Sequence, residues 1–258
     1  MTRVLAAIDD SAAADVVLAT AVAFAALTAA VPEAFHVAED GHERAQAIAA
    51  AAGVRLREGT GAVVDAIAHA ASAPDVRAVV VGARRAPDGA QPVGHVAFAL
   101  LTRLTVPLLV VPPDTASPSV LRRVLVPLDG TMPTAERARA IVELATANGL
   151  DVVVVHVTDP ARLPAFTDQP QHETNAFTDE FLARYAPAVG VNLELRVGPP
   201  DDEVLAATSS LRADLVALAW AQVLQPDRAR VVRSLLARSH VPLLLLPLTG
   251  VETASPVR

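Results

Sequence analysis

The 258-residue chain contains no cysteine, and only 3% of it is aromatic. Without cysteine there is no disulfide framework, no thiolate metal site and no cysteine nucleophile. Lysine is missing too: all 21 basic residues are arginine. That excludes Schiff-base chemistry, a P-loop lysine and the lysine of response-regulator receivers. A formal charge of -7 argues against an electrostatic grip on nucleic-acid phosphates. Long apolar runs are also scarce. The longest, Val16 to Val31, is broken only by Thr20 and Thr28 and is followed by Pro32. As a helix it would span about 24 Å, short of the ~30 Å hydrocarbon core of a bilayer. Asp9, Asp10 and Asp15 precede it, where an export signal would carry positive charge. A buried helix, a cytoplasmic location and no membrane partner are expected.

What is present is an internal repeat, the feature to seek before any motif. Val4-Leu-Ala-Ala-Ile-Asp-Asp-Ser11 aligns with Val124-Leu-Val-Pro-Leu-Asp-Gly-Thr131 at an offset of 120, and His36-Val37 aligns with His156-Val157 at the same offset. Leu56-Arg57-Glu58-Gly59 then matches Leu195-Arg196-Val197-Gly198 at 139, and Val106-Pro-Leu-Leu-Val-Val-Pro112 matches Val241-Pro-Leu-Leu-Leu-Leu-Pro247 at 135. Short apolar strands are predicted near 3–9, 34–38, 54–58, 77–82 and 107–111, and again near 123–129, 151–157, 191–197, 214–219 and 242–246. Alanine-rich helical stretches separate them. Alternation of this kind gives right-handed βαβ units and an open, mostly parallel α/β sheet covered by helices on both faces. The proline-rich link 112–118 divides the chain into two such units, 1–112 and 122–248. Their last strands, 107–111 and 242–246, are short, apolar sheet edges, and pairing them in an intrachain pseudo-dimer removes an aggregation risk.

In sheets of this class ligands bind beyond the carboxyl ends of the strands, at the switch in strand order. Strand one ends in Asp9 in one copy and Asp129 in the other. Either acid could accept hydrogen bonds from a ribose or an amine, or simply cap a helix. The Asp9-Asp10 pair cannot be a receiver site without a lysine, and Ser11 and Thr131 stand where an Asp-x-Asp phosphatase needs an acid. After strand four the first copy runs from Gly82 through Arg84 and Arg85 to Gly94, His95 and Val96. Glycines there let backbone amides approach phosphate oxygens, and the arginines could add charged contacts; an ordinary surface loop reads the same. The second copy has Ala219 and Ala229 at the glycine positions, a loop two residues shorter, and Arg228, Arg230 and Arg233 nearby. The seven histidines show no metal-binding spacing, and no Gly-x-Ser-x-Gly elbow is present. His36 and His156 end matching strands, which points to a repeated structural role. The second copy also gains a segment, 158–177, with Pro160, Pro164 and Pro170 against a continuous helix. It is expected over the carboxyl-end mouth of the second sheet.

Each half resembles a universal stress protein domain. The resemblance rests on Val-Pro-Leu-Asp-Gly-Thr at 126–131, the His-Val strand ends, Gly59 and Gly198 before helices, and the closing Val-Pro-Leu-Leu motif. It implies a Rossmann-like, three-layer α/β/α fold in tandem, of the kind common in actinobacteria. ATP-binding members carry Gly-x2-Gly-x9-Gly-Ser/Thr after strand four. Here Gly82 and Gly94 remain, Arg85 stands at the second glycine, the spacer is one residue shorter, and His95 replaces the hydroxyl. Carried over residue by residue, the family pattern places adenine beside Ala7, Ile8 and Val37, ribose near Asp9 and Gly82, and phosphates on Gly94, His95 and Val96. Only Asp129 and Val157 survive in the second half. The resemblance thus implies a stress-response protein that binds ATP or a related adenine nucleotide in its first half alone. The alternative is a stress-related interaction module without nucleotide. No nucleophile or acid–base pair marks an enzyme, and protein partners and a homodimer are left open.

Overall fold

The computed structural model describes residues 1–37, 43–83, 93–160, 175–220, 222 and 229–247. The first half carries strands β1 (Arg3–Ala7), β2 (Val31–Val37), β3 (Arg55–Gly59), β4 (Val76–Gly82) and β5 (Leu108–Val111). Between them lie helices α1 (Ala14–Leu27), α2 (Glu43–Ala51), α3 (Val63–Ala71) and α4 (His95–Arg103). The second half repeats the series with β6 (Arg123–Pro127), β7 (Asp151–Thr158), β8 (Val191–Val197), β9 (Leu215–Trp220) and β10 (Leu243–Pro247). Its helices are α5 (Met132–Ala147), α6 (Asn175–Tyr185), α7 (Pro200–Ser210) and α8 (Arg230–Arg238).

The ten strands form one sheet in the order β3-β2-β1-β4-β5-β10-β9-β6-β7-β8. All pairs are parallel except β5 with β10, which is antiparallel. Alternation along the strands divides the core into two layers, because successive side chains leave a strand on opposite faces. Val4 and Ala6 of β1 join the layer under α1, α2, α5 and α6. Leu5 joins the layer under α3, α4, α7 and α8. Small alanines at 14, 21 and 25 bring α1 close to the sheet, and each is at most 1% exposed. The expected α/β class, the covered sheet and the pairing of the last strands are thus present in a single continuous sheet.

Two local expectations need correction. The apolar run 16–31 is not one helix. Helix α1 ends at Leu27, where the Thr28 hydroxyl donates to the carbonyls of Phe24 and Ala25 and Ala29 turns the chain with φ 49°. Val31 and Pro32 already belong to β2. Pro32 pairs with Val4 of β1, while the β2–β3 ladder starts only at Glu33, so its missing N–H costs no bond on that side. β1 is also shorter than expected: it stops at Ala7, and Asp9 lies in the following loop. The link after β5 is packed in place, with Thr115 and Leu121 buried. No described helix is long and apolar enough to cross a membrane.

At the amino ends of the central strands, Arg3 and Arg123 occupy matching positions. The Arg3 guanidinium contacts Asp75 at 2.8 Å and Glu33 at 2.8 Å; Arg123 contacts Asp151 at 2.6 Å. These pairs stitch neighbouring strands far from the carboxyl ends. The Asp75 carboxyl is held below its ordinary range first by its hydrogen bonds from Arg3. The Arg3 guanidinium is raised, first by Asp75 and then by Glu33.

Candidate functional site

In the first half the strand order 3-2-1-4-5 reverses its winding between β1 and β4. The connection after β1 runs to α1 on one face, and the connection after β4 runs to α4 on the other. A crevice at the carboxyl ends of these two strands is the consequence. Ala7 stands at its floor, paired on one side with Phe35 and on the other with Val81. Asp9 lies just beyond, and Gly82 ends β4 beside Val111.

Within the Asp9 loop, Oδ1 accepts the Ser11 backbone N–H at 3.0 Å and the Ser11 hydroxyl at 2.5 Å. The Ser11 hydroxyl oxygen in turn accepts the Ala13 N–H at 3.3 Å. The aspartate therefore closes the turn into α1. Asp10 acts on a different helix. Its Oδ1 accepts the Ala45 N–H at 3.2 Å, satisfying an open donor in the first turn of α2. Gly82 is needed for close approach. A Cβ at this position would lie 3.3 Å from Val17 Cγ2 of α1.

His36 holds the strand ends together. Its Nδ1 lies 3.0 Å from the Ile8 carbonyl, which can only accept, so the proton sits on Nδ1. The Ile8 N–H meanwhile donates to the Phe35 carbonyl at 3.0 Å. The repeat reproduces this arrangement with His156 Nδ1 at 2.9 Å from the Leu128 carbonyl and Leu128 N–H on Val155. The expected structural role of the two histidines thus takes a definite form: each ring bonds the backbone just past a central strand.

The residues assigned to adenine divide between the two layers. Ala7 and Val37 pack with the α3–α4 side, whereas the Ile8 side chain is buried on the α1–α2 side. Ile8 therefore shares no surface with the other two side chains. Gly94 sits at the N-cap of α4 with φ -59° and ψ 156°, and among the described residues no side-chain cap hydrogen bond is made at this helix end. No acid lies in its first turn. His95 is exposed and Val96 partly so. Arg85, with Arg84, falls outside the described residues.

Among the described residues the second half keeps the histidine bond, the aspartate turn and a helix start at Ala229 with no side-chain cap hydrogen bond and no acid in its first turn, but it differs in the detail around them. β6 pairs with β9 only at Val124 and Leu125, whereas the β1–β4 ladder continues to Ala7 and Val81. Asp129 Oδ1 accepts from Thr131 N–H at 2.9 Å, Thr131 Oγ1 at 2.7 Å and Thr134 Oγ1 at 2.5 Å. Gly130 adopts φ 77°, a left-handed conformation suited to glycine. Phe181 of α6 covers His156 at a ring separation of 4.8 Å. Arg230, which matches His95, is turned onto Asp201 at 2.9 Å. Segment 161–174 lies outside the described residues, and with it most of the stretch expected to cover this mouth.

Sequence reasoning missed one participant. Trp220, the only tryptophan of the chain, ends β9, and its indole Nε1 donates to the Leu101 carbonyl of α4 at 3.1 Å. Gln222 follows with φ 59° and donates to the Leu104 carbonyl at 2.6 Å. The signal available was a lone large aromatic at the position matching Ala83.

Among described residues no cluster of His, Asp or Glu could hold a metal ion. No curated protein matches the chain. The family model described as the universal stress protein family matches residues 121–247. A universal stress protein from Archaeoglobus fulgidus is 18% identical, with 95% of this chain and 98% of that chain covered at a TM-score of 0.69. A protein of unknown function from Pseudomonas aeruginosa is 15% identical, with 96% and 92% covered at a TM-score of 0.66. A universal stress protein family member from Arabidopsis thaliana, solved with AMP bound, is 14% identical, with 52% of this chain and 97% of that chain covered at a TM-score of 0.37. The second half of the chain thus belongs to the universal stress protein family, and the first half repeats its strand order in tandem.

Proposed function

We propose that the first half binds an adenine nucleotide at the β1–β4 crevice, one per chain, and that the second half has no such site. The observation that carries this is the uncapped start of α4. Among the described residues Gly94 opens the helix without a side-chain cap hydrogen bond, and no acid lies in the first turn, so its first backbone amides and the positive end of the helix dipole face the crevice. Gly82 lets β4 approach α1 closely at the edge of the crevice, and the Asp9 carboxylate takes the ribose position of this reading. Adenine would rest on Ala7 and Val37, with Ile8 buried beneath. His95, Val96 and Arg85 complete the phosphate end in this reading. In the second half α8 also starts, among the described residues, without a side-chain cap hydrogen bond or a first-turn acid, but it starts at Ala229 instead of a glycine, Arg230 is engaged by Asp201 and the β6–β9 ladder ends early.

One observation favours a second reading, an interaction module without nucleotide. Asp9 Oδ1 is already taken by Ser11, as a purely structural turn would require. The two readings separate experimentally. Protein purified from cells is denatured and the supernatant analysed by mass spectrometry, and the full chain is titrated with ATP by calorimetry. Adenine nucleotide in the supernatant and a stoichiometry near one support the first reading. Gly94→Glu should abolish binding by clash and repulsion, while Ala229→Glu leaves it intact. Absence of binding to the wild type favours the interaction module.

A further inference from the structure

The antiparallel junction of β5 with β10 has a geometric result. It lays the carboxyl end of the second half beside the amino end of the first, where α4 finishes. Two donors from the second half meet α4 there. Trp220 Nε1 reaches the Leu101 carbonyl and Gln222 Nε2 the Leu104 carbonyl, and Trp220 is 3% exposed. Terminal carbonyls of a helix have no partner within it, so these two bonds serve as a C-terminal cap supplied by the other half. The same nine-residue helix begins at Gly94 and His95.

We propose that Trp220 and Gln222 are positioning residues for the first half: they fix α4 along its length and so set the pose of its N-terminal amides toward a bound phosphate. This rests on the nucleotide reading above for the ligand, but not for the mechanical link. A helix of nine residues spans about 14 Å, short enough to move as a unit. The matching contact in the other direction is not available to the residue matching Trp220, because Ala83 carries no side-chain donor. The second half is then a structural support for the first rather than a second copy of its site.

Two measurements on the full chain test this. Hydrogen exchange without ligand compares the wild type with Trp220→Phe and Gln222→Met, which keep bulk and lose the donor. The Phe98 N–H, bonded to the Gly94 carbonyl at 3.0 Å, reports the first turn of α4. Loss of Phe98 protection by tenfold or more in either variant supports the link; changes confined to residues 101–104 overturn it. Calorimetry then compares ATP with adenosine. The variants should lose about tenfold in ATP affinity while adenosine, which lacks phosphates, binds as before. Equal losses for both ligands, or none, overturn the positioning role and leave the nucleotide reading standing. A wild type that binds neither ligand defeats the nucleotide reading and with it the phosphate part of this proposal, while hydrogen exchange still decides the mechanical part.

Discussion

Leu109 of β5 lies directly opposite Leu244 of β10 across the antiparallel junction, and the two are counterparts in the repeat. A residue that pairs with its own counterpart marks a local two-fold axis, as in an isologous dimer interface. Both are 0% exposed. Either one changed to alanine should cost about 2–5 kcal/mol. Because the two face each other, the double variant should cost less or more than the sum. Urea denaturation of the three variants checks this, and additive losses would show that the junction is not packed as described.

The His36 ring satisfies the buried carbonyl of Ile8. His36→Ala leaves that acceptor without its partner and should destabilise by about 1–3 kcal/mol. His36→Asn, whose amide can donate from a similar position, should recover part of the loss. Equal stabilities for the alanine and asparagine variants would deny the bond its role.

Asp75 supplies a pH signature. Its folded-state pKa lies below the ordinary 3.8 because the carboxylate is hydrogen-bonded by Arg3. The folded state therefore binds fewer protons than the unfolded one at acid pH, and stability rises with pH through that window. The advantage of wild type over Asp75→Asn should be full above about pH 4 and vanish as pH falls further. Thermal melts of both proteins from pH 6 to pH 2 measure it. A difference that stays constant down to pH 2 would contradict the Arg3–Asp75 pairing.

Around the crevice, two roles of Asp9 can be separated. Ser11→Ala removes the hydroxyl that occupies Oδ1 but leaves the carboxylate. Asp9→Ala removes both turn and carboxylate. If the acid contacts a nucleoside, Asp9→Ala should weaken adenosine binding about tenfold, or roughly 1.4 kcal/mol, and Ser11→Ala should not. Calorimetry with adenosine compares them, and equal effects would assign Asp9 to the turn alone.

Gly82→Val should disturb the contact with Val17 of α1. A Cβ is already tight at 3.3 Å from Val17 Cγ2, and the added methyls should cost about 1–3 kcal/mol. Gly82→Ala should cost less. A neutral valine variant would show that α1 can withdraw from β4.

The fold was readable because its signals repeat. The offset between Val4–Ser11 and Val124–Thr131 marks the same strand twice, and Pro107-Leu-Leu and Pro242-Leu-Leu mark the closing strands. The histidines were legible for the same reason, as residues recurring at one strand end. What escaped was non-local and unpaired in the repeat. Nothing in the local pattern says that Trp220 caps a helix of the other half, because the partners are carbonyls, which every residue has. Alternation along strand one sets Ile8 opposite Ala7, but that Val37 shares the Ala7 side depends on the β1–β2 register, which pairs Ala7 with Phe35 and is not written in either strand alone. The end of α1 was misplaced because Val31 and Pro32 continue an apolar run whose periodicity changes from helix to strand at Thr28.

The covalent link between β5 and β6 changes what substitution can do. Two identical subunits joined through their last strands would carry every mutation twice, at both mouths and on both helices. Here the tether holds the partners at an effective concentration on the order of millimolar, so dilution does not part them, and each position is encoded once. Trp220 shows the result: an indole enters one side of the axis while Ala83 remains on the other. In an obligate pair of identical chains the same change would place two indoles symmetrically, one beside each mouth. Joining the copies frees each crevice to be altered alone.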